Sequence, residues 1–254
     1  MNIYAIYISF LTLLRKEVVR VLRIWPQSII PPVITTTLYF LIFGKLIGSQ
    51  VEDIEGNSFI AFIVPGLIMS QMLANAYINS AFSVYAMRFV RSIEEILVSP
   101  TPYPIILLSF ILSSMIRGVI TAIIITIIAM FFTTISLHHA GVLILVAMIA
   151  SFLFGTLGVI NGLFSNSFDD VAIIPTFVIT PLTYLGGVFY SIDMLPDFLK
   201  KLTIANPIYY IISAFRYGFL GYESVSVVAC LAVLIVMTIA SFMFALKCLS
   251  RTQN

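Results

Sequence analysis

Apolar residues in this chain gather into six long blocks separated by short polar or charged connections. The blocks run from Gln27 to Ile47, Phe59 to Met87, Ile105 to Thr134, Ala140 to Phe164, Val171 to Tyr190 and Val225 to Leu246. A hydrocarbon layer of about 30 Å takes roughly 20 helical residues at about 1.5 Å rise, because every backbone N–H and C=O must be satisfied inside its own segment. The pattern therefore predicts six membrane-spanning helices. A β-barrel would need shorter strands of alternating polarity, whereas the block from Ile105 to Thr134 is apolar on nearly every face. The fold class is all-α and integral to the membrane.

Composition sharpens this picture. Charged residues make up 9% of the chain, hydrophobic ones 61%, and the mean hydropathy is +1.11. A soluble domain carries about a quarter charged residues to keep its surface hydrated. The net charge of +2 is small and is distributed by topology, so it argues for no nucleic acid partner. Cys230 and Cys248 stand eighteen residues apart in or beside the last block, beyond disulfide reach of each other on one helix, and read as buried free thiols.

Orientation follows from Lys and Arg near the span ends. Arg15, Lys16, Arg20 and Arg23 precede the first span, Arg88 and Arg91 lie between the second and third, and Lys247 and Arg251 follow the last. These connections are assigned to the cytoplasm, with both termini inside. The connection holding Glu52, Asp53 and Glu55 against Lys45, and the one holding His138 and His139, fall outside. Lys200, Lys201 and Arg216 run against this assignment, since they fall on the outer side.

The run from Ile3 to Leu14 is apolar, but its positive charges follow it and no small-residue cleavage site appears, so it is not read as a signal peptide. It predicts an amphipathic interfacial helix ending before Pro26. Phe10, Leu14, Val18, Val21 and Leu22 would meet lipid, and Arg15, Lys16, Arg20 and Arg23 would meet headgroups.

Chemistry-bearing motifs are few. No G-x-x-x-x-G-K-[ST] loop is present to cradle a nucleotide phosphate. His138 and His139 are adjacent, point to different faces and have no Cys or carboxylate at ligand spacing, so no metal site is assigned. Asp169 and Asp170 sit at a short turn where Ser167 or Asp169 would cap a helix, a more economical reading than paired catalytic carboxylates. No catalytic residue is assigned.

The stretch Arg88 to Val98, placed on a helix, puts Phe89, Ile93, Ile96 and Leu97 on one side and Arg88, Arg91, Glu94 and Glu95 mostly on another. Ser99-Pro100-Thr101-Pro102 then stops it. Such a helix could float at the headgroups or dock a soluble partner.

Several stretches carry a family resemblance: RIWPQSIIPPVITTTLY at 23–39, FIVPGL at 62–67, RSIEEILVSP at 91–100, FDDVAIIPTFVITPLTYLGGVFYS at 168–191 and NPIYY at 206–210. Over nearly its whole length the chain resembles the membrane subunits of type-2 ABC exporters, in particular small bacterial permeases encoded as separate half-transporters. The resemblance implies a non-enzymatic six-span subunit of the bacterial cytoplasmic (inner) membrane that dimerises. A separate ATP-binding subunit, which holds ATP and Mg, would dock on its cytoplasmic side. Residues 1–25 would be an amphipathic connector helix, 26–250 the transmembrane domain and 251–254 a cytoplasmic tail. Within the domain, a coupling helix at about 88–99 would present Arg91, Ile93, Glu94, Glu95 and Leu97 to the ATPase, and re-entrant helices would occupy about 193–222. Pro196 and Pro207 break this last region, and Ile208 to Leu220 is too short to cross alone.

Inside the spans, Gln71, Asn75 and Asn79 repeat every four residues, as do Thr176, Thr180 and Tyr184. These stripes serve interhelical hydrogen bonds, a substrate route, or both. Arg117 stands alone mid-span, where a charge costs about 2.5–3.5 kcal/mol on insertion scales, and must be met by groups such as Gln71 or Asn75, carbonyls, water or an anionic substrate. It is either a structural anchor or part of the path. Pro65, Pro175 and Pro181 remove backbone donors and Gly186-Gly187 adds backbone freedom, which reads as hinges or as plain packing.

The function expected is outward movement of an amphipathic, lipid-linked or drug-like substrate, with lipids, a second copy and the ATPase as partners. A secondary transporter would show ionisable residues at the midplane and an internal repeat, and a membrane enzyme would show interfacial acid or nucleophile clusters.

Overall fold

The computed structural model describes residues 3–47, 54 and 56–251. The acidic group Glu52, Asp53 and Glu55, the side chain of Lys45 and the tail 252–254 lie outside the described residues. Among the described residues the chain is helical, with no strand beyond an isolated bridge between Ile54 and Asn57.

Helix α1 (Ile3–Arg23) leads into α2 (Trp25–Tyr39), whose last turns widen into a π-helical stretch, Phe40–Ile47. Then come α3 (Phe59–Phe89), α4 (Ser92–Val98), α5 (Tyr103–Ala129) and α6 (Ala140–Phe164). A broken rod follows, with α7 (Phe168–Ile174), a π turn at Pro175–Ile179 and α8 (Thr180–Leu185). A short 3-10 turn, Ile192–Met194, precedes α9 (Asp197–Ala205), α10 (Pro207–Leu220) and α11 (Val227–Arg251).

Among the described residues six helices are long and apolar enough to cross a membrane: Trp25–Gly44, Phe59–Phe89, Tyr103–Ala129, Ala140–Phe164, Phe168–Leu185 and Val227–Arg251. All six apolar blocks are thus found. The third ends five residues early, at Ala129, and the fifth begins three residues early, because Ser167 and Asp170 form a capping box at its start. Capping is therefore what the Asp169-Asp170 turn does.

The core is built around α3, which packs most extensively on α6 and α5. Its 31 residues span about 46 Å at about 1.5 Å each, well beyond a hydrocarbon layer. The surplus length carries α4 clear of the apolar zone. Close approach of α3 and α6 depends on Gly158 and Gly162, where an added Cβ would collide with Ser80 and the Tyr77 carbonyl and with the Ala81 carbonyl respectively. The spans at 25–44, 168–185 and 227–251 are peripheral and mostly exposed.

At the end opposite α4, α9 and α10 form a short pair joined at Asn206, whose side chain accepts from Ile208 N at 3.0 Å and donates to the Leu182 carbonyl. Helix α10 packs on α6, α11 and α3 and ends at Gly221 in the left-handed region, φ +72°.

Helix α1 is amphipathic, but the face anticipated from its pattern needs correction. Val21 is buried while Leu22 is exposed, and Arg20 turns inward because Glu17, itself buried, pairs with it. Cys230 is buried and Cys248 half-buried, and the two are not joined in a disulfide.

Candidate functional site

The α3–α4 junction folds back sharply at Arg91, the one non-glycine residue with positive φ among those described (φ 58°, ψ 8°). A left-handed non-glycine residue costs on the order of 1–2 kcal/mol and holds only where its surroundings enforce it. Two features do so. Arg88 donates from Nη1 to the carbonyls of Gly162 (3.1 Å) and Ser165 (3.0 Å), clamping the end of α6. Ile93 and Leu97 insert into an apolar cluster with Met87, Ile106 and Leu249.

What remains outward on α4 is Arg91, Glu94, Glu95 and Val98. The single amphipathic helix anticipated from 88 onward is thus two pieces. Phe89 ends α3 and packs on Tyr85 and Phe168, so it does not share a face with Ile93. Ile93 and Leu97 anchor the helix, and their burial leaves the charged face as the surface open to another chain.

The polar stripe on α3 is a junction of three helices. Asn79 is fully buried: Oδ1 accepts from Arg20 Nη2 at 3.0 Å and lies 3.5 Å from Arg117 Nη1, while Nδ2 donates to Ser113 (3.3 Å) and Ser114 (3.1 Å). Arg117 Nε also donates to Asn75 Oδ1 at 3.3 Å. Asn75 in turn donates to the Gln71 carbonyl at 3.0 Å.

Glu17 Oε2 accepts from Ser83 at 2.6 Å and from Arg20 at 2.9 Å. Its other oxygen, Oε1, is buried without a hydrogen bond among the described residues. The side-chain groups of Asn79 are thus engaged inside the bundle. Arg117 is half-buried and reaches both Asn75 and Asn79.

Thr176, Thr180 and Tyr184 are exposed on the peripheral fifth span, and no hydrogen bond among the described residues joins them to the α3 stripe. Their four-residue spacing was read on an α-helix, but Pro175–Ile179 is π-helical, so the spacing no longer keeps them strictly in line. Thr180 Oγ1 donates to the Pro175 carbonyl at 2.9 Å across that widened turn. Tyr184 reaches Tyr39 of α2, hydroxyl to hydroxyl 3.1 Å, beside the ring of Phe189.

Among the candidate hinge residues, Pro65 is buried in an α3 that runs on unbroken, so it makes no break there. Pro175 opens the π turn and Pro181 starts the next helix at its first turn, where a missing N–H is tolerated. Gly186 and Gly187 are not loose backbone. A Cβ on Gly186 would press on Ile208 and Ile212 at 3.2 Å, Gly187 has φ +80°, and its carbonyl accepts from Arg216 Nη2 at 2.6 Å.

Arg216 is a buried clamp, not a loop charge on the outer side. Beyond Gly187, it donates from Nε to the Phe62 carbonyl at 3.3 Å and lies 3.8 Å over the Phe62 ring. Lys200 pairs with Asp193 at 3.0 Å in the open. His138 and His139 both pack on Tyr217, with ring centroids 5.5 and 5.8 Å away, and so share a neighbour instead of facing apart. No group of three or more His, Cys, Asp or Glu that could hold a metal occurs among the described residues.

Sequence reading missed the roles of Glu17, Arg20 and Arg216. The i, i+3 spacing of Glu17 and Arg20 signalled a pair, but nothing local gave its depth. The Gly158-x-x-x-Gly162 spacing is a legible signal of close helix packing.

Comparison with known proteins agrees with this architecture. Residues 8–220 match the ABC-2 type transporter family. The chain is 44% identical over 254 residues to the inner membrane transport permease YadH of Escherichia coli strain K12, covering 100% of this chain and 98% of the relative. It is 22% identical over 227 residues to nodulation protein J of Rhizobium leguminosarum bv. viciae, covering 88% and 87%. Against nodulation protein J of Sinorhizobium fredii the identity is 21% over 217 residues, covering 85% and 82%. With the family match across most of its length and a full-length relative at this identity, the chain belongs to the ABC-2 type transporters.

Proposed function

We propose that this multi-pass chain is the permease subunit of an ATP-driven exporter in the bacterial inner membrane, working as a dimer with a separate ATP-binding subunit. The observation that carries this reading is α4. Its charged face of Arg91, Glu94 and Glu95 stands outward, while Ile93 and Leu97 root it in the same apolar cluster as α5, α6 and α11. A rigidly rooted helix can pass a push from a soluble partner into the spans, whereas a floating one cannot.

ATP and Mg would be held on the partner, since this chain carries no phosphate-cradling loop. The name of the Escherichia coli relative supports the inner membrane setting.

A second copy of the chain would cover the peripheral spans. Thr176 is exposed with its hydroxyl on an otherwise apolar face, a placement that lipid penalises and a facing copy would relieve. The route for an amphipathic, lipid-linked or drug-like substrate would run between the copies past Thr176, Thr180 and Tyr184. The π turn between Pro175 and Pro181 would let that wall bend. Gln71, at the half-buried end of the α3 stripe, and Arg117 would border the route from the bundle side.

Purification with the ATP-binding subunit, followed by vanadate-sensitive ATP turnover and cargo movement in liposomes, tests this. Cargo movement by the isolated chain without nucleotide would overturn it.

A further inference from the structure

Between α1 and the α4-proximal end of α3 lies an open cavity of about 840 Å³, a size ordinary for small-ligand sites, which run about 300–1,000 Å³. Its rim is basic, with Arg15, Lys16, Arg20 and Arg23 all contributing from α1. Its wall is apolar, formed by Phe82, Ala86, Met87 and Val90 together with Val19 and Ile24.

The charges do not cancel. Among the described residues Glu17 is the only acidic group lining the cavity, and it is taken by Arg20 and Ser83. Arg15, Lys16 and Arg23 form no ion pair among the described residues, and the Lys16 ammonium has only the Met87 sulfur, at 3.8 Å, as a contact. Three cations left without counter-charge beside an apolar wall define the shape of an anionic amphiphile. Guanidinium groups suit phosphate oxygens in particular, because their paired N–H donors match them.

We infer that this cavity is a binding site for an anionic phospholipid of the leaflet on the α4 side. The phosphate would lie among Arg15, Lys16 and Arg23, and the acyl chains would run along Phe82, Met87 and Val90. The depth is right for a headgroup. The cavity sits along the last turns of α1, just before Trp25 opens the first span, and beside the end of α3 that leads to α4. A soluble phosphate would have no use for the apolar wall. Occupancy fixes α1 against α3 from outside, as Arg20 and Glu17 do from inside. The inference does not depend on the transport reading.

Trp25 is the sole tryptophan of the chain, stands next to the cavity-lining Ile24 and is exposed, so its fluorescence reports the site directly. The full chain is placed in phosphatidylcholine bilayers containing a few mole per cent of brominated phosphatidylglycerol or, in parallel, brominated phosphatidylcholine. Because each basic residue near an anionic surface adds to the attraction, the wild type should prefer the quenching phosphatidylglycerol at least roughly tenfold.

The Arg15→Gln/Lys16→Gln/Arg23→Gln variant should lose most of that preference. Arg15→Lys/Arg23→Lys should keep a measurable part of it, which separates charge from misfolding. Lys247→Gln/Arg251→Gln, which alters cations on α11 outside the cavity, should keep all of it. Equal quenching by the two lipids in the wild type, or an unchanged preference in the triple variant, would overturn the proposal. So would full competition by soluble glycerol phosphate, which would make this a phosphate site with no lipid role. Loss of the preference when the ATP-binding subunit is added would overturn it too, since the cavity would then be a protein interface.

Discussion

Arg216 and Gly187 are joined by a 2.6 Å hydrogen bond from a buried guanidinium to a carbonyl whose residue sits in the left-handed region. Through it α10 fixes the turn that ends the fifth span, and through the Phe62 carbonyl it fixes the start of α3. Hydrogen bonds from a charged group contribute about 1.5–3 kcal/mol each. Arg216→Leu should therefore lower stability by at least about 2 kcal/mol, seen as an earlier thermal transition in detergent. Arg216→Lys should recover only part of the loss, because an ammonium cannot span both carbonyls in the plane of the fork.

Asn79 ties α1, α3 and α5 at one point. Asn79→Ala leaves Arg20 and Arg117 short of an acceptor, and the expected destabilisation is about 1–3 kcal/mol. The effect should be local first, with faster proteolysis within α1 while the rest of the bundle resists. Uniform cleavage throughout would contradict the junction described here.

Gly158→Ala places a methyl group against Ser80 and the Tyr77 carbonyl of α3. Backbone cannot yield as a flexible side chain does, so a loss of about 1–3 kcal/mol is expected from overpacking. Gly141→Ala meets nothing within 4 Å and serves as the neutral control. Thermal melts of the two variants in the same detergent check the difference.

Pro175→Ala restores a donor at the π turn and should let the fifth span close into a regular helix. Stability should fall by about 1–2 kcal/mol, since Pro175 is buried and the change removes ring carbons. Transport in the reconstituted complex should fall. Unchanged transport would reduce the turn to a packing feature.

The extent of each element was legible wherever hydropathy alone decides it. The fourth span runs from Ala140 to Phe164 both by pattern and in three dimensions. The fifth was harder, because Pro175 and Pro181 impose a π turn that no hydropathy pattern records.

Polar residues were recognised as unusual, but their depth was not. Arg216 reads as an outer charge because a sequence gives the charge and not the carbonyls of Phe62 and Gly187 that receive it, 154 and 29 residues away. Ile93 and Leu97 lie on the short helix that the pattern predicts, and in the fold they face the subunit's own apolar cluster. Periodicity separates two faces of a short helix, and only packing tells which face belongs to the subunit and which to a partner.

The role proposed for α4 depends on which side of the membrane it faces and on what covers it. With Cys230 and Cys248 replaced by serine and Glu94→Cys as the sole thiol, a membrane-impermeant maleimide tests both points at once. The thiol should react only from the cytoplasmic side, and the ATP-binding subunit should shield it. Labelling of Glu94→Cys from outside intact cells, or reaction at the same rate with and without that subunit, would contradict the account.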